Sequence, residues 1–313
     1  MRLVFMGTPQ FAVPTLEHLV ASGHQVMAVF TQPDRPKGRG QQLAFSPVKQ
    51  AALERGLEVH QPQRIRRPEI VEQLRSMRSD AMVVVGYGQI IPQSIIDLPP
   101  LGIINVHASL LPKYRGAAPI QWAIANGEST TGVTTMRIDA GLDTGDMLLK
   151  AETGIGEDET AVELAARLAP MGAELLGETL RGLESGTIVA EKQDDSAATY
   201  APILKKEDGL VDWTRPAQVI HNRARGFTPW PGAYTQFRGQ VLHLAKTRVG
   251  TEAAQGEPGT IFDVRRRLFV SCGDGTSLEL IDVQLEGRKK MDAGAFLNGQ
   301  RLRPEEKLGE QLH

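Results

Sequence analysis

The sequence predicts an α/β protein in which a mostly parallel, doubly wound sheet is followed by a smaller antiparallel β domain. In the first half of the chain, short runs of β-branched residues alternate with helical patterns, which is typical of βαβ units. Beyond residue 208 the pattern changes to short apolar runs separated by turn residues, which is typical of a small β-barrel of the OB type. These two patterns set the fold class.

The length indicates two domains. The chain has 313 residues, and a single hydrophobic core rarely grows beyond about 250 residues. Residues 186–208 contain glycine, proline, serine and paired lysines without a sustained apolar period, as a surface linker does. We therefore predict a larger, catalytic domain over residues 1–188, a linker over 189–208 and a smaller second domain over 209–313.

The elements of the first domain follow from hydrophobic periodicity. Gly23 and Gly56 stand where the first two helices should stop. Pro170 should kink or break the long last helix, because proline cannot donate a helix hydrogen bond. The predicted strands are Leu3–Met6, Gln25–Phe30, Ala81–Val85, Ile103–His107, Val133–Asp139 and Met147–Ala151. The predicted helices are Ala12–Ser22, Pro47–Arg55, Glu69–Met77 and Thr160–Leu183.

The second domain is predicted to begin with one helix, Pro216–Arg225, and to continue as strands. A turn at Gly273–Gly275 separates two of these strands. The predicted strands are Val241–Ala245, Thr260–Val264, Leu268–Cys272 and Leu278–Val283.

Composition excludes several classes of protein. Hydrophobic residues make up 41% and charged residues 23%, which are ordinary values for globular proteins and argue against disorder or a fibrous architecture. Cys272 is the single cysteine, so neither an internal disulfide framework nor a multi-cysteine metal cluster is possible. The first apolar stretch is too short for a secretory signal, and no run of about 18 apolar residues predicts a membrane span. We expect a cytoplasmic protein with no membrane partner.

Charge is distributed unevenly along the chain. Residues 205–313 contain 17 lysines and arginines against 14 acidic residues, whereas the rest of the chain contains 18 against 23. A mildly basic second domain could contact a polyanion, although ordinary solvated surface would give the same count.

Residues 105–107 are the first candidates for chemistry. Side chains at positions i and i+2 share one face of a strand, so Asn105 and His107 should project together near the strand's carboxyl end, where open α/β sheets bind ligands. Two such hydrogen-bond donors suit acyl transfer, because they can stabilise the oxyanion of a tetrahedral intermediate. A purely structural role, in which His107 ends the strand and Asn105 supports a loop, remains open.

The acidic turn Asp139–Asp146 is the second candidate. Its spacing does not follow the calcium pattern of an EF-hand loop, which makes a metal site the weaker interpretation. A carboxylate delivered beside a histidine can orient the imidazole, and we assign that role to Asp143. Asp139 and Asp146 can be turn and solvent-facing residues.

Two glycine-containing loops complete the candidates. The turn after the first strand, Gly7–Phe11, lacks both the dinucleotide fingerprint and the P-loop motif. The sequence therefore supports neither dinucleotide binding nor P-loop nucleotide binding at this turn. Residues Thr31–Phe45 form a long connection that carries Gly38, Arg39 and Gly40, and long connections are often functional. A nucleic-acid-contacting insertion and a solvated loop are both open for this segment.

Together these segments resemble the folate-dependent formyltransferases and, among them, the methionyl-tRNA formyltransferases. The central motifs are similar to those of other folate-dependent formyltransferases, including the glycinamide ribonucleotide enzyme, whereas the arginine loop and the late basic segment narrow the resemblance to the tRNA enzymes. The segments that carry it are Gly7–Pro9, Thr31–Gly40, Asn105–Gln121, Gly141–Met147 and Gln284–Met291.

The resemblance implies a Rossmann-like catalytic domain, an OB-like domain that helps to hold tRNA, and 10-formyltetrahydrofolate as formyl donor without a metal. The catalytic set it implies is Asn105, His107 and Asp143. The folate site it implies consists of Ser109, Leu110, Leu111 and Pro112, with Ile90 beside the pterin. We expect tRNA contacts from Arg39, Lys206, Arg288 and Lys289, with Lys205, Arg265, Arg266, Arg267 and Lys290 as further phosphate-binding candidates.

The expected reaction is formylation of the α-amino group of methionyl initiator tRNA by a monomer. An enzyme that formylates an amino sugar nucleotide is the nearest rival interpretation, and the arginine loop argues against it. An RNA-binding protein with an inactive site is disfavoured by the complete catalytic set. A hydrolase that releases formate from folate would not need a basic second domain.

Overall fold

The computed structural model describes residues 1–37, 42–303 and 306–309. The chain divides into two compact units. The first contains Met1–Pro119, Thr131–Thr153 and Ala165–Ala201, and the second contains Ile120–Thr130, Gly154–Leu164 and Pro202–His313.

The strands and helices predicted in the first 150 residues are all present within a few residues of their predicted bounds, and the shorter elements between them were not predicted. Up to the long helix they are β1 (Arg2–Gly7), α1 (Val13–Ala21), β2 (Gln25–Phe30), β3 (Arg35–Lys37), β4 (Gln42–Ala44), α2 (Pro47–Glu54), β5 (Val59–His60), α3 (Pro68–Ser76), β6 (Ala81–Val85), α4 (Gln93–Ile96), β7 (Ile103–His107), β8 (Arg115–Gly116), α5 (Pro119–Ala125), β9 (Thr130–Arg137), β10 (Met147–Gly154) and α6 (Ala161–Ser185). The later elements are β11 (Tyr200–Ala201), α7 (Ala217–Gly226), β12 (Ala233–Phe237), β13 (Gln240–Val249), β14 (Ile261–Val264), β15 (Arg267–Ser271), β16 (Ser277–Leu285), β17 (Met291–Asp292) and α8 (Ala293–Gln300). Short 3-10 helices lie at Gln10–Ala12, Asp195–Ala197 and Lys206–Gly209.

A seven-stranded sheet forms the centre of the first unit, in the order β10-β9-β7-β6-β1-β2-β5. The pairs from β5 to β7 are parallel, and β9 pairs with β7 antiparallel. The chain proceeds from β1 to one side and later returns through β6 to the other, which confirms the predicted doubly wound, mostly parallel sheet. In such sheets, ligands bind outside the carboxyl ends of the strands near this reversal.

Both faces of the sheet are covered, which explains why the strands are continuous apolar runs. On one face, Val4 and Met6 belong to a buried cluster with Ile65 and Leu74. On the other face, α6 lies very close to β7: a Cβ atom added at Gly172 would be 2.8 Å from Cγ1 of Val106.

Pro170 does not break α6, so of the two expected outcomes, a kink or a break, the break is wrong. The helix is continuous over 25 residues with Pro170 inside it, although an interior proline costs about 3 kcal/mol. Leu168 and Leu176, on either side of the proline, are fully buried, and burying side chains of this size stabilises by about 1.5–3 kcal/mol each. Burial on both sides therefore offsets the cost of the proline.

The segment predicted as a linker divides between the two units at Pro202. Its first part packs on the first unit: Glu191 and Met147 exchange two backbone hydrogen bonds of 2.8 Å each, and β11 pairs in parallel with β8. The predicted domain boundaries stay a prediction.

The second unit contains an antiparallel sheet in the order β12-β13-β16-β15-β14, with β17 paired to β16. This confirms the smaller β domain. Ile220 and Ala224 of α7 share a buried cluster with Leu244 and Leu280 of the sheet. Strands β12 and β14 end the path of pairings, so closure into an OB-like barrel stays a prediction. In the part of the chain that the structure describes, no helix has the length and apolar character that crossing a membrane requires.

Candidate active site

Strand β7 brings Asn105 and His107 to one face, as the period of two predicts. Asn105 pairs with Met136 of β9, and His107 pairs with Thr134 of the same strand. Both side chains are largely enclosed, with 8% of Asn105 and 6% of His107 exposed. The two polar groups are thus held on a paired strand with little exposure to solvent.

Both ring nitrogens of His107 have a polar neighbour. Its Nε2 lies 2.9 Å from the backbone oxygen of Tyr114, and its Nδ1 lies 3.7 Å from Oδ2 of Asp143. A carbonyl oxygen can only accept a hydrogen bond, so Nε2 must carry a proton. In the neutral ring, Nδ1 is therefore the nitrogen with a free lone pair, and it faces the carboxylate.

Asp143 occupies an unusual backbone position in the turn between β9 and β10. Its φ is 52°, a left-handed conformation that residues other than glycine adopt rarely. Oδ2 of Asp143 accepts a 2.8 Å hydrogen bond from the backbone N–H of Gly116. Asp139 shapes the same turn, because its Oδ1 accepts hydrogen bonds from the Gly141 N–H and the Thr144 hydroxyl.

The Asn105 amide has no hydrogen-bond partner among residues 1–37, 42–303 and 306–309. An enclosed amide that is not engaged within the protein can donate to a ligand. The Asn105 amide and the His107 imidazole thus share one face of β7, and the imidazole faces the Asp143 carboxylate. Groups of these kinds can act as donors and acceptors in acyl transfer.

The predicted folate segment, residues 109–112, is fixed by Thr134 of β9. The Thr134 hydroxyl donates to the Ser109 carbonyl at 2.7 Å and accepts from the Leu111 N–H at 3.1 Å. The Ser109 hydroxyl in turn donates to the Lys113 carbonyl. The Leu111 side chain is buried in a cluster with Met136, so this side chain anchors the segment to the sheet. The segment's half-buried surface comes from Leu110 and Pro112 instead.

Ile90 lies almost wholly in solvent, with 91% of its surface exposed. The neighbouring Gln89 fixes the loop: its Oε1 accepts from the Ile65 N–H at 2.7 Å, and its Nε2 donates to the Pro62 carbonyl. An apolar side chain held in solvent by a well-anchored loop is consistent with a ligand-facing position.

Four further residues support the site, and sequence reasoning gave none of them a role. Thr134 fixes the 109–112 segment, and Thr199 accepts a 2.9 Å hydrogen bond from the Tyr114 N–H. The Gln193 amide contacts the backbone around Asp143, and its Oε1 accepts from Nε of the buried Arg115. Gln193 and Thr199 lie in the segment interpreted as a linker, which has no apolar period that could have marked them.

The base of the Thr31–Phe45 loop is anchored by charge. Nζ of Lys49 lies 2.5 Å from Oδ2 of Asp34, and Gln61 donates to the other carboxylate oxygen at 2.8 Å. The hydrogen bond from Lys49, followed by that from Gln61, holds the pKa of Asp34 below its usual value. Arg39 lies outside the described residues.

The other predicted tRNA-binding residues lie at exposed turns of the second unit. Lys206 begins a 3-10 helix, and Arg288 and Lys289 belong to the turn between β16 and β17. Neither Arg288 nor Lys289 forms an ion pair with another described residue. By contrast, Arg267 pairs with Glu279 at 2.7 Å.

The chain belongs to the formyl transferase family. The family model described as formyl transferase matches residues 1–180, and the model described as formyl transferase, C-terminal domain, matches residues 203–301. The predicted resemblance is thereby confirmed over nearly the whole chain.

Among its relatives is a protein from Solibacter usitatus (strain Ellin6076) named methionyl-tRNA formyltransferase, which is 67% identical over 99% of each chain. A protein of the same name from Koribacter versatilis (strain Ellin345) is 61% identical over 99% of each chain. Among solved structures, an N-formyltransferase from Helicobacter canadensis in complex with folinic acid and dTDP-3-aminofucose is similar, with a TM-score of 0.66 and 20% identity. That similarity covers 89% of this chain and 98% of the other, and it shows a shared fold.

Proposed function

We propose that this protein transfers the formyl group of 10-formyltetrahydrofolate to the α-amino group of methionyl initiator tRNA. The observation that carries the proposal is the arrangement around His107, whose Nδ1 faces the Asp143 carboxylate at 3.7 Å on the strand that also presents the Asn105 amide. The names of relatives at 61–67% identity over the full chain support the tRNA substrate. The solved neighbour that binds an amino sugar nucleotide shares only 20% identity, which is too distant to favour a sugar acceptor.

The attacking group is the α-amino nitrogen, which must be uncharged to react. Free α-amino groups titrate near pH ~8, so a useful fraction is neutral at physiological pH. Attack on the formyl carbon places negative charge on the formyl oxygen. In this proposal the Asn105 amide donates to that oxygen, together with His107 when its Nδ1 is protonated. One such donor in an enclosed site contributes roughly 3 kcal/mol to transition-state stabilisation.

One proton must then move from the attacking nitrogen to the departing folate nitrogen, while the new C–N bond replaces the old one. Nδ1 of His107 is suited to relay it, because the Tyr114 carbonyl keeps the other ring proton on Nε2. Asp143 stabilises the ring while both of its nitrogens carry protons. The proposal thus makes Asn105 an oxyanion donor, His107 the proton relay and a second donor, and Asp143 the group that stabilises the protonated ring.

The folate is proposed to lie against Ser109, Leu110, Leu111 and Pro112, with Ile90 beside its pterin ring. The half-buried surface of Leu110 and Pro112 supports contact by side chains there, whereas the buried Leu111 packs against Met136 and supports the segment. For the tRNA, we propose phosphate contacts from Lys206, Arg288 and Lys289 and a contact from Arg39 near the end of the acceptor stem. The proposal implies action in the cytoplasm as a monomer.

Transfer of labelled formyl from 10-formyltetrahydrofolate to three acceptors tests the substrate. The acceptors are methionyl initiator tRNA, methionyl elongator tRNA and a dTDP-linked amino sugar. We expect strong preference for the initiator, and Arg39→Ala should lower use of that tRNA without changing the KM for folate. Formylation of the amino sugar but of neither tRNA would reject the proposed acceptor and leave the catalytic set intact.

A further inference from the structure

The side-chain amide of Gln193 connects three parts of the site. Its Nε2 donates to the backbone carbonyls of Asp143 and Gly145, both at 2.8 Å. Its Oε1 accepts from Nε of Arg115 at 2.9 Å. Both amide protons and one acceptor position are therefore in use, which is close to the full capacity of this group.

The two carbonyls that accept from Gln193 belong to the turn in which Asp143 has a left-handed backbone conformation. Asp143 has a φ of 52°, and a residue other than glycine keeps such a conformation only when its surroundings hold it there. One restraint acts on its carboxylate, through the 2.8 Å bond from the Gly116 N–H. Gln193 supplies the restraint on its backbone.

Gln193 is itself fixed by backbone pairing on both sides. Before it, Glu191 exchanges two backbone hydrogen bonds with Met147, each 2.8 Å long. After it, Ala201 pairs with Gly116. The amide is thus delivered by an anchored backbone, so that the turn does not depend on a freely moving side chain.

We propose that Gln193 is a positioning residue, which holds the Asp143 carboxylate in register with His107 without touching the substrate. The inference rests on the proposed function, in which Asp143 acts together with His107. It gives the 189–201 segment, which the sequence marks only as a connection, a role in the reaction.

Gln193→Glu separates this role from a structural one. A carboxylate at this position still accepts from Arg115, so the buried guanidinium stays paired. The same carboxylate has no proton for the carbonyls of Asp143 and Gly145 and would repel both of them. Gln193→Met removes all three interactions. Asp195→Asn is the matched control, because Asp195 contacts Arg115 at 2.8 Å from an exposed position while the contacts of Gln193 remain.

The test is steady-state formyl transfer with both substrates varied. We expect Gln193→Glu and Gln193→Met each to lower kcat about 10- to 100-fold, the loss that a small misplacement of a catalytic group produces. Each KM should stay within about threefold, because in this inference the amide positions catalysis and not substrate binding. Asp195→Asn should keep the wild-type kcat. Wild-type kcat for Gln193→Glu with a reduced value for Gln193→Met would show that the amide serves Arg115 alone, and would overturn the inference.

A double-mutant cycle with Asp143→Ala completes the test. If Gln193 acts through Asp143, adding Gln193→Met to Asp143→Ala should lower the single-turnover rate constant for formyl transfer no further. Multiplying losses would overturn the inference. Wild-type activity of Asp143→Ala alone would instead reject the role of Asp143 in the proposed function. A slow Asp143→Ala beside fully active Gln193 variants would reject only the positioning role.

Discussion

Thr134→Val removes one hydroxyl from β9 and leaves the shape of the side chain nearly unchanged. This hydroxyl donates to the Ser109 carbonyl at 2.7 Å and accepts from the Leu111 N–H at 3.1 Å, and Thr134 is fully buried. Its loss leaves two backbone groups of the proposed folate segment without their partner. We expect the segment to lose its fixed position before the sheet does.

The magnitude follows from the two interactions. A buried polar group left unpaired costs about 1–3 kcal/mol. Leu110 and Pro112 of this segment are half-buried, which gives water access to the two groups once the segment moves, so we expect about 2 kcal/mol in total, the lower limit for two groups. This corresponds to roughly a 30-fold shift of the segment away from its ordered state. To the extent that only the ordered state binds folate, the KM for folate rises by up to that factor.

Thr135→Val is a closely matched control on the same strand. The Thr135 hydroxyl is also fully buried, and it contacts the Thr179 hydroxyl at 2.8 Å and the Leu149 N–H at 3.1 Å on the opposite face of the sheet. Both variants should lower the free energy of unfolding in urea by similar amounts. Only Thr134→Val should raise the KM for 10-formyltetrahydrofolate, measured at saturating tRNA. Equal folate KM values for the two variants would refute the reasoning that Thr134 orders the binding segment.

Three further predictions concern stability and reactivity. Burial, followed by the charge of Arg225, lowers the pKa of the His221 imidazole below its usual value. As pH falls, this imidazole therefore takes up a proton in the unfolded chain before it does so in the folded protein. The free energy of unfolding should decrease as pH drops from about 6.5 toward the folded pKa. Urea titrations at several pH values should show this slope, and it should be reduced in His221→Gln; an unchanged slope would contradict the assignment. Gly145→Ala places a Cβ atom 1.9 Å from the Arg137 carbonyl oxygen, so this substitution should lower the free energy of unfolding by about 1–3 kcal/mol. A wild-type midpoint of urea unfolding would count against so close an approach of the two backbones. Burial raises the pKa of Cys272 to about 12, so a thiol reagent at pH 8 should label the protein only after unfolding, and rapid labelling of the native protein would disprove this.

Six of the seven strands of the central sheet were predictable because they are short, buried, apolar runs that leave little choice of structure; β5, which has only two residues, was not predicted. The pairing of Asn105 with His107 on one face follows from the period of a strand alone. For helix α6, a break at Pro170 was one of two expected outcomes and it is wrong, because the sequence shows the missing hydrogen bond but not the burial that offsets it. Helix α8 was missed because Gly294 and Gly299, both poor helix formers, interrupt its pattern.

The supporting residues of the site could not be found in the same way. Gln193 lies about fifty positions from Asp143 along the chain, and its contacts depend on how the 189–201 segment returns across the first unit. Polar side chains that bind backbone carbonyls have no periodicity, so single-sequence patterns do not mark them. The resemblance supplied Asn105, His107 and Asp143 as a set, but it assigned no role to Gln193 or Thr134.

The central claim is that His107 relays the proton during formyl transfer and helps to stabilise the oxyanion. Single-turnover formyl transfer by His107→Ala tests this claim most directly. His60→Ala is the control, because His60 ends β5 in the same sheet, four strands away from β7. With saturating folate and methionyl initiator tRNA, we predict that His107→Ala lowers the transfer rate about 100- to 1,000-fold, whereas His60→Ala stays near wild type and both variants still bind folate. A wild-type transfer rate for His107→Ala would contradict the account.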